Sequence, residues 1–304
     1  MQIPAPAPVV VGVSGTAAGL AATRLGAREA MARGRPLRIV HVFAWPGRHY
    51  SDDPPDYCSA RREADLIVRE AVATASRSVP GVRVEGVLVD GQPVRELLRR
   101  SRTAELLVLG DDDLTTAPGL PPDSVAVQAV ARARCPVVVA RGVRPPSGPL
   151  LVAVDGSPAS LQALRLAAGE AGRRELALEV AHVVGRPEQE PAGRRLLENA
   201  ITGVPGLTGA RTRLLVGDPA PTLVRASRRA RMMIVGPRGT DGSSLLGVVA
   251  GELLRHCACP TLFVHGTTAG QGPGDGTAAG PGNRTAAGKG PGNGTVRTAG
   301  ALTS

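Results

Sequence analysis

The sequence predicts an α/β fold of two tandem, doubly wound, five-stranded parallel-sheet domains, followed by a disordered C-terminal tail. Three observations predict it: apolar runs alternate with Ala-, Leu- and Arg-rich stretches, the runs are apolar throughout, and the whole pattern occurs twice. Strands and helices alternating at this spacing form a mainly parallel sheet, whose strands are apolar because helices cover both faces. The 304 residues suit two domains of about 150 each.

Five strands are expected in each copy, with helices between them, as over residues 17–33 and 159–173. The predicted strands of the first copy are residues 9–13, 37–43, 82–89, 106–110 and 137–140. Those of the second copy are residues 150–154, 177–184, 211–216, 232–236 and 261–264. Ligands of such folds bind beyond the carboxyl ends of the strands, where the strand order reverses. The residues after the first, second and fourth strand of each copy are therefore the candidate site.

The duplication is evident from five anchors that recur in the same order. The first strand ends at Ser14-Gly15-Thr16 and, 141 positions later, at Asp155-Gly156-Ser157, and a His-Val pair recurs with the same offset. A Gly-x-Pro and a later glycine recur at an offset of 126, and a Cys-Pro pair recurs at 124. Repeats this long are tandem globular domains, which we place at residues 8–144 and 149–266 with a Pro-rich linker between them.

The last segment, residues 267–304, has a different composition. Gly, Ala and Thr make up 25 of its 38 residues, it has no aromatic residue, and Val296 and Leu302 are its only larger aliphatic residues. Such a segment cannot bury enough apolar surface to offset the entropy of ordering it. We therefore predict a disordered tail that acts as a flexible tether.

Composition excludes several classes of function. The formal charge is +10, but all basic residues except Lys289 are arginines, and they are scattered over predicted helices, which favours solvated helix faces over a nucleic-acid surface. No run reaches the 18 or so apolar residues of a membrane span, and no secretory signal is visible at residues 1–8. Four cysteines in 304 residues suit a reducing compartment, so we expect a cytoplasmic protein without specific nucleic-acid or membrane binding.

A glycine-rich turn follows the fourth predicted strand of the second copy. It reads Gly236-Pro237-Arg238-Gly239, and Gly247 comes eight positions after Gly239. Glycines there let backbone amides approach a phosphate, with a helix N-terminus next to it. The same pattern also occurs in ordinary tight turns, so this motif becomes specific only together with Asp155 at the end of the first strand.

With these motifs the chain resembles the universal stress protein family in tandem form, over about residues 9–264. The resemblance rests on the strand-one endings, the His-Val pair, the Gly-Asp-Pro before the third helix and the Cys-Pro before the last strand. It implies five-stranded domains of the adenine nucleotide alpha hydrolase-like type. Many members bind ATP, with the phosphates in a G-x2-G-x9-G-[ST] loop and an Asp and a Val beside the nucleoside. Family domains pair through their last strands, so we expect a homodimer or an intramolecular pairing of the two domains.

Carried over to the second copy, the resemblance predicts a cofactor site for ATP with Mg²⁺ formed by Asp155, Val183, Gly236, Gly239 and Gly247. Two departures weaken it. The spacer before Gly247 has seven residues instead of nine, and Val248 stands where the family has a hydroxyl. Each lost hydrogen bond to a charged group costs roughly 1.5–3 kcal/mol, which weakens binding by an order of magnitude or more. Ser243 and Ser244 in the shortened loop are candidates to compensate.

The first copy departs more strongly. It keeps the spacing and has Ser124 at the hydroxyl position, but Asp113 and Asp123 replace the second and third glycine and Ser14 replaces the strand-one Asp. Carboxylates repel a triphosphate by about 1 kcal/mol per unit pair at 4 Å even in water. An Asp cluster can alternatively hold a Mg²⁺ that bridges to phosphate. The simpler interpretation is a first domain that has lost nucleotide binding and serves as a structural half.

No catalytic constellation is found. Cys257 and Cys259 beside His256 lack the further ligands of a zinc site, and Ser14 lacks the second glycine of a nucleophile elbow. His41 and His182 occupy strand positions, which favours packing over catalysis. We therefore expect no enzyme and no metal centre, but a stress-adaptation protein whose second domain binds ATP. The alternative is a nucleotide-free interaction scaffold with both sites degenerate, which recruits an unknown protein partner.

Overall fold

The computed structural model describes residues 6–45, 57–112, 114, 119–142, 147–207, 210–238 and 245–265. The predicted disordered tail at 267–304 lies outside these residues. The first half, up to residue 142, has the elements β1 (Val9–Gly12), α1 (Ala17–Arg33), β2 (Leu37–Phe43), α2 (Tyr57–Ser78), β3 (Val84–Asp90), α3 (Pro93–Arg100), β4 (Leu106–Leu109), α4 (Val125–Arg132) and β5 (Val137–Val139).

The second half, from residue 147, repeats this order. Its elements are β6 (Leu150–Ala153), α5 (Pro158–Arg174), β7 (Leu178–Val184), α6 (Glu190–Thr202), β8 (Arg211–Val216), α7 (Pro219–Ser227), β9 (Met232–Val235), α8 (Val248–His256) and β10 (Thr261–Phe263). All ten predicted strands are confirmed to within two residues at either end. The largest shift is at β3, which begins at Val84 because the amide of Val82 donates to the carbonyl of Val79 in a turn.

One ten-stranded sheet contains all of these strands, in the order β3-β2-β1-β4-β5-β10-β9-β6-β7-β8. Within each half the pairs are parallel, and the order reverses beside β1 and beside β6, as in a doubly wound fold. The two halves meet at β5 and β10, which pair antiparallel with Val138 opposite Leu262. The predicted fold class is therefore confirmed, with the two five-stranded sheets continuous across this pair. The predicted boundaries at 144 and 149 stay a prediction, since residues 143–146 lie outside the described ones.

The helices that follow β1 and β6 begin and end with equivalent residues. Thr16 accepts a hydrogen bond from the amide of Gly19 at the start of α1, and Ser157 accepts one from Ser160 at the start of α5. Both helices end in a left-handed residue, which is Gly34 (φ 62°) in the first half and Glu175 (φ 52°) in the second. Glycine adopts this conformation without strain, whereas a residue with a Cβ does not.

Contacts across the joint between the halves are nearly two-fold symmetric. Arg141, just after β5, donates to the carbonyl of Leu254, and His265, just after β10, bonds through Nε2 to the carbonyl of Val130 at 2.8 Å. The two pairs are equivalent, because each residue of the first half lies 124 positions before its counterpart. Contacts of this reciprocal kind are typical of the interface of a two-fold symmetric dimer.

A buried ion-pair quartet joins α1 to α5 across the same joint. Glu29 and Arg33 lie one turn apart on α1, and their counterparts Glu170 and Arg174 lie one turn apart on α5. Arg174 contacts Glu29 at 2.6 Å, and Arg33 contacts Glu170 at 2.7 Å. The side chains of Glu29 and Glu170 are 2% and 3% exposed. Burial alone would raise the pKa of Glu29, but the hydrogen bonds and charges of Arg174 and Arg33 outweigh it and hold that pKa below its usual range.

The quartet corrects one expectation about arginine. Solvated helix faces were predicted for the scattered arginines of the helices, and this is wrong for Arg33 and Arg174, whose side chains are 5% and 17% exposed. The physical reason is that each guanidinium has a carboxylate partner that offsets its desolvation.

Within the described residues, no helix is long and apolar enough to cross a membrane.

Candidate functional site

Each half has a candidate site at the carboxyl edge of its strands, beside the point where the strand order reverses. In the second half Asp155 lies two residues beyond β6, Val183 lies near the end of β7, and Gly236 follows β9 directly. These three strands are neighbours, with Ala153 opposite Ala181 and Val152 opposite Ile234. The fold therefore brings these three predicted residues to one edge. Gly239, Ser243 and Ser244 lie outside the described residues.

Asp155 is exposed, and its carboxylate is held by the start of α5. Its Oδ1 accepts a hydrogen bond from the amide of Ser157 at 2.9 Å, while its own amide contacts the hydroxyl of Ser160 at 3.3 Å. Within the described residues Asp155 has no ion pair. The second carboxylate oxygen is therefore available to a ligand, and the first is oriented by the backbone.

Gly236 permits a close approach between the loop after β9 and the start of α5. A Cβ at this position would lie 2.9 Å from the Cβ of Ala159, which is closer than real Cβ atoms come. The equivalent Gly110 of the first half approaches α1 in the same way, with 2.7 Å to the carbonyl carbon of Ala18. Close packing alone therefore accounts for a glycine at both positions, without any ligand.

Gly247 is the N-cap of α8, and its amide donates to the carbonyl of Pro237 at 3.0 Å. The bond closes the loop after β9, so this amide is already engaged. Gly247 supplies no capping side chain, which leaves the amides of the first turn of α8 without partners inside the helix. Val248, where the family has a hydroxyl, is 83% exposed. Within the described residues, the N-terminus of α8 therefore has neither a capping side chain nor a hydroxyl at position 248.

The two histidines at the ends of β2 and β7 have equivalent structural roles. Nδ1 of His41 bonds to the carbonyl of Val13, and Nδ1 of His182 bonds to the carbonyl of Val154, both at 2.8 Å. Each bond ties the second strand of its half to the residue that follows the first strand. Both rings are half-buried, which fits the packing role expected for them and fixes the geometry of the strand edge.

In the first half, Asp112 is the carboxylate of the strand edge. It lies in the loop after β4, two residues beyond Gly110, and its two oxygens accept hydrogen bonds from the hydroxyls of Ser14, at 2.8 Å, and Thr16. The neighbouring Asp111 is paired with Arg141 at 2.7 Å. Asp112 itself has no ion pair within the described residues. In the second half the edge carboxylate, Asp155, follows the first strand, whereas in the first half Asp112 lies in the loop after the fourth strand.

A cavity of about 250 Å³ opens at this edge of the first half. Its walls are mainly apolar and come from the ends of β2 and β4 and the starts of α3 and α4, namely Val40, Val42, Pro93, Leu97, Leu109 and Val125. The polar residues that line it include Ser14, His41, Asp112 and Ser124. Sequence reasoning placed a candidate site at this edge of each copy but expected the first copy to be structural, so it did not predict a cavity there. The His-Val pair and the strand-end glycine that the first copy keeps were signals for it.

The cysteines and acidic residues form no metal centre in the part of the chain described. Cys257 and Cys259 are buried, with their Sγ atoms 3.8 Å apart, and no third ligand joins them. Burial raises the pKa of Cys135, at the equivalent place in the first half, to about 12. No group of three His, Cys, Asp or Glu side chains lies close enough to hold a metal among the described residues. Asp113, a member of the predicted acidic cluster, lies outside them.

Comparison with known proteins gives the same family for both halves. Residues 7–141 and 147–265 each match the universal stress protein family. A universal stress protein of Mycolicibacterium smegmatis is 28% identical over 284 residues, which cover 84% of this chain and 96% of that protein. One from Mycobacterium tuberculosis H37Rv is 28% identical over 297 residues, with 84% and 95% covered. The crystal structure of a universal stress protein from Archaeoglobus fulgidus covers 84% of this chain and 98% of its own, with a TM-score of 0.66 at 17% identity, which is a likeness of fold.

Proposed function

Because this chain belongs to the universal stress protein family, we propose that it is a stress-adaptation protein of the cytoplasm whose second half binds ATP weakly. It has two tandem domains of that family. The observation that supports nucleotide binding most directly is the carboxylate of Asp155, which has no ion pair among the described residues and is oriented by the amide of Ser157. A carboxylate held in this way is suited to accept hydrogen bonds from a nucleoside.

The phosphates of ATP would meet the loop after β9 and the N-terminus of α8. Amides at a helix N-terminus bind anions because they lack partners in the helix and carry a partial positive charge. Affinity is lowered because the Gly247 amide already donates to Pro237 and Val248 supplies no hydroxyl. One missing bond to a charged group is worth roughly 1.5–3 kcal/mol. We therefore propose a regulatory ligand, bound as the Mg²⁺ complex, and no hydrolysis of it.

Calorimetric titration of the intact protein with ATP and Mg²⁺ tests this proposal. We expect saturable heat that Asp155→Ala abolishes and that Glu198→Ala leaves unchanged. Glu198 is a suitable control because it is an exposed carboxylate in the middle of α6. A phosphate-release assay on the same samples should show no turnover. Equal heat in Asp155→Ala and the unmodified protein would refute the assignment of the site.

A nucleotide-free interaction scaffold remains the second proposal, and one observation favours it. Val248 is an exposed apolar side chain at the first position of α8, where a phosphate site would have a donor. Under this proposal the folded protein gives no heat at millimolar ATP and carries no adenine absorbance after purification. A partner protein would then be the ligand.

A further inference from the structure

We infer that three arginines at the amino edge of the sheet, Arg24, Arg28 and Arg231, bind a small, free oxyanion of the phosphate type. The site lies at the joint between the two halves, with two arginines on α1 and one just before β9. The ATP site proposed above lies at the opposite, carboxyl edge, so neither proposal depends on the other. The symmetry of the joint, the proximity of the arginines and their missing partners each support the inference.

The two halves have residues of opposite charge at equivalent positions of this edge. The amide of Glu105, just before β4, donates to the carbonyl of Pro8 at 2.9 Å. The amide of Arg231, just before β9, donates to the carbonyl of Pro149 at the same distance. The two bonds are equivalent, because the residues repeat at the offsets of 126 and 141 positions that relate the two copies. Arg231 therefore stands where the first half has a carboxylate.

Glu105 neutralises arginines in the first half. Its carboxylate lies 3.6 Å from a guanidinium nitrogen of Arg33 and also pairs with Arg35. The second half has a positive charge at this position instead, so the arginines around Arg231 lack the anion that Glu105 supplies on the other side. An oxyanion from solution would provide that missing negative charge, and an ion of this kind needs only about the space of one carboxylate.

The three arginines of the site lie near one another. Arg24 and Arg28 are one turn apart on α1, so their side chains are neighbours on one face of the helix. Burial lowers the pKa of Arg28, and the charge of Glu29 raises it. The charges of Arg24 and Arg231 lower it further, because both lie near enough to repel it. Glu29 gives little relief, because both of its carboxylate oxygens accept hydrogen bonds from Arg174.

The same side chains are half-buried and lack partners. Within the described residues, no carboxylate or other acceptor binds the guanidinium of Arg24, Arg28 or Arg231. The Nε of Arg231 is buried and has no hydrogen-bond partner. A buried donor without an acceptor costs free energy, and so does the repulsion between like charges. An oxyanion relieves both, since guanidinium groups bind it through paired, charge-assisted hydrogen bonds.

Calorimetric titration of the intact protein with inorganic phosphate tests the inference. Sodium chloride keeps the ionic strength constant, so that simple screening of the arginines contributes equally throughout. We expect saturable heat, and Arg28→Gln and Arg231→Glu should each weaken the binding by at least about tenfold. Arg62→Gln, which removes an exposed arginine near the start of α2, should leave it unchanged. Glycerol phosphate, titrated in parallel, should bind no more tightly than the free ion.

Arg231→Glu also gives a readout that needs no ligand. It introduces at this position the charge that Glu105 has in the first half. Without phosphate, the variant should therefore unfold at a higher urea concentration than the unmodified protein. Adding phosphate should raise the urea midpoint of the unmodified protein, because it binds the folded state, and should leave that of the variant unchanged.

Three results would overturn the inference. The first is the absence of heat from inorganic phosphate in the unmodified protein, which needs no variant to fold. The second is phosphate heat that Arg28→Gln leaves unchanged, because the ion would then bind elsewhere. The third is tighter binding of glycerol phosphate, which would contradict the choice of the free ion. In Asp155→Ala the phosphate heat should persist while the ATP heat disappears, so a failure of one proposal leaves the other standing.

Discussion

The two halves of this chain share a framework and differ in where it carries charge. Both use a histidine Nδ1 to bond the carbonyl after the first strand. Both also use a glycine after the fourth strand to let the helix that follows the first strand approach closely. The second half has its edge carboxylate, Asp155, after the first strand, whereas the first half has Asp112 in the loop after the fourth. These two contacts are the same in both copies, whereas the carboxylate at the strand edge lies in a different place.

The largest expected effect concerns the quartet, where the halves are most alike. Glu29→Ala and Glu170→Ala each leave buried arginines short of a partner, and we expect each to lower the free energy of unfolding by about 3–5 kcal/mol. Urea unfolding measures this. Arg194→Ala, which removes an exposed pair on α6, should cost less than about 1 kcal/mol. A difference of several kcal/mol between Glu29→Ala and Glu170→Ala would break the equivalence of the two helices.

The same quartet predicts a pH dependence. The pKa of Glu29 is lower in the folded protein than the ordinary 4.5, so the folded state binds fewer protons there than the unfolded state. Its contribution is complete above pH 4.5 and is lost as the pH falls through the lowered pKa. Glu29→Gln should therefore flatten the loss of stability below pH 4.5, and an unchanged acid profile would contradict the ion pairing.

A smaller difference in stability is expected between alanine substitutions of Gly110 and Gly236, the two glycines that allow a close helix approach. Gly110→Ala would place a Cβ 2.7 Å from backbone carbon, and Gly236→Ala would place one 2.9 Å from the Cβ of Ala159. We expect both substitutions to lower the free energy of unfolding by about 1–3 kcal/mol, with Gly110→Ala at the upper end of this range and Gly236→Ala at the lower end. Gly172→Ala on α5, where no atom lies within 4 Å, should stabilise by about 0.5–1 kcal/mol. Thermal unfolding ranks the three, and a larger cost at Gly236 would reverse this comparison.

The smallest effect is a gain. Glu175 ends α5 with a positive φ of 52°, where Gly34 ends α1. Glu175→Gly should raise the free energy of unfolding by up to about 1 kcal/mol, since left-handed backbone costs an L-residue roughly 1–2 kcal/mol and glycine loses some of this gain as chain entropy. Glu175→Ala keeps the Cβ and should give no such gain. Equal stability of the Gly and Ala variants would show that φ is not the cause.

The sequence predicted the fold closely because its signals are local. Strands buried on both faces are short apolar runs, and β2 and β8 match the expected bounds at both ends. The quartet was not predicted, because Glu29 and Arg33 look like an ordinary exposed helical pair until α5 is placed against them. The cavity was missed for a similar reason, since its walls come from residues as far apart as Val40 and Val125. Gly239 and the serines of the shortened loop stay predictions.

The antiparallel pair of β5 and β10 has a consequence for how the stability of the protein depends on its concentration. Two separate single-domain chains must collide before such an edge is covered, so the paired fraction falls on dilution. Here one polypeptide supplies both edges, so their pairing is an intramolecular equilibrium, which dilution does not change. The midpoint of unfolding should accordingly not shift with protein concentration, however scarce the protein becomes.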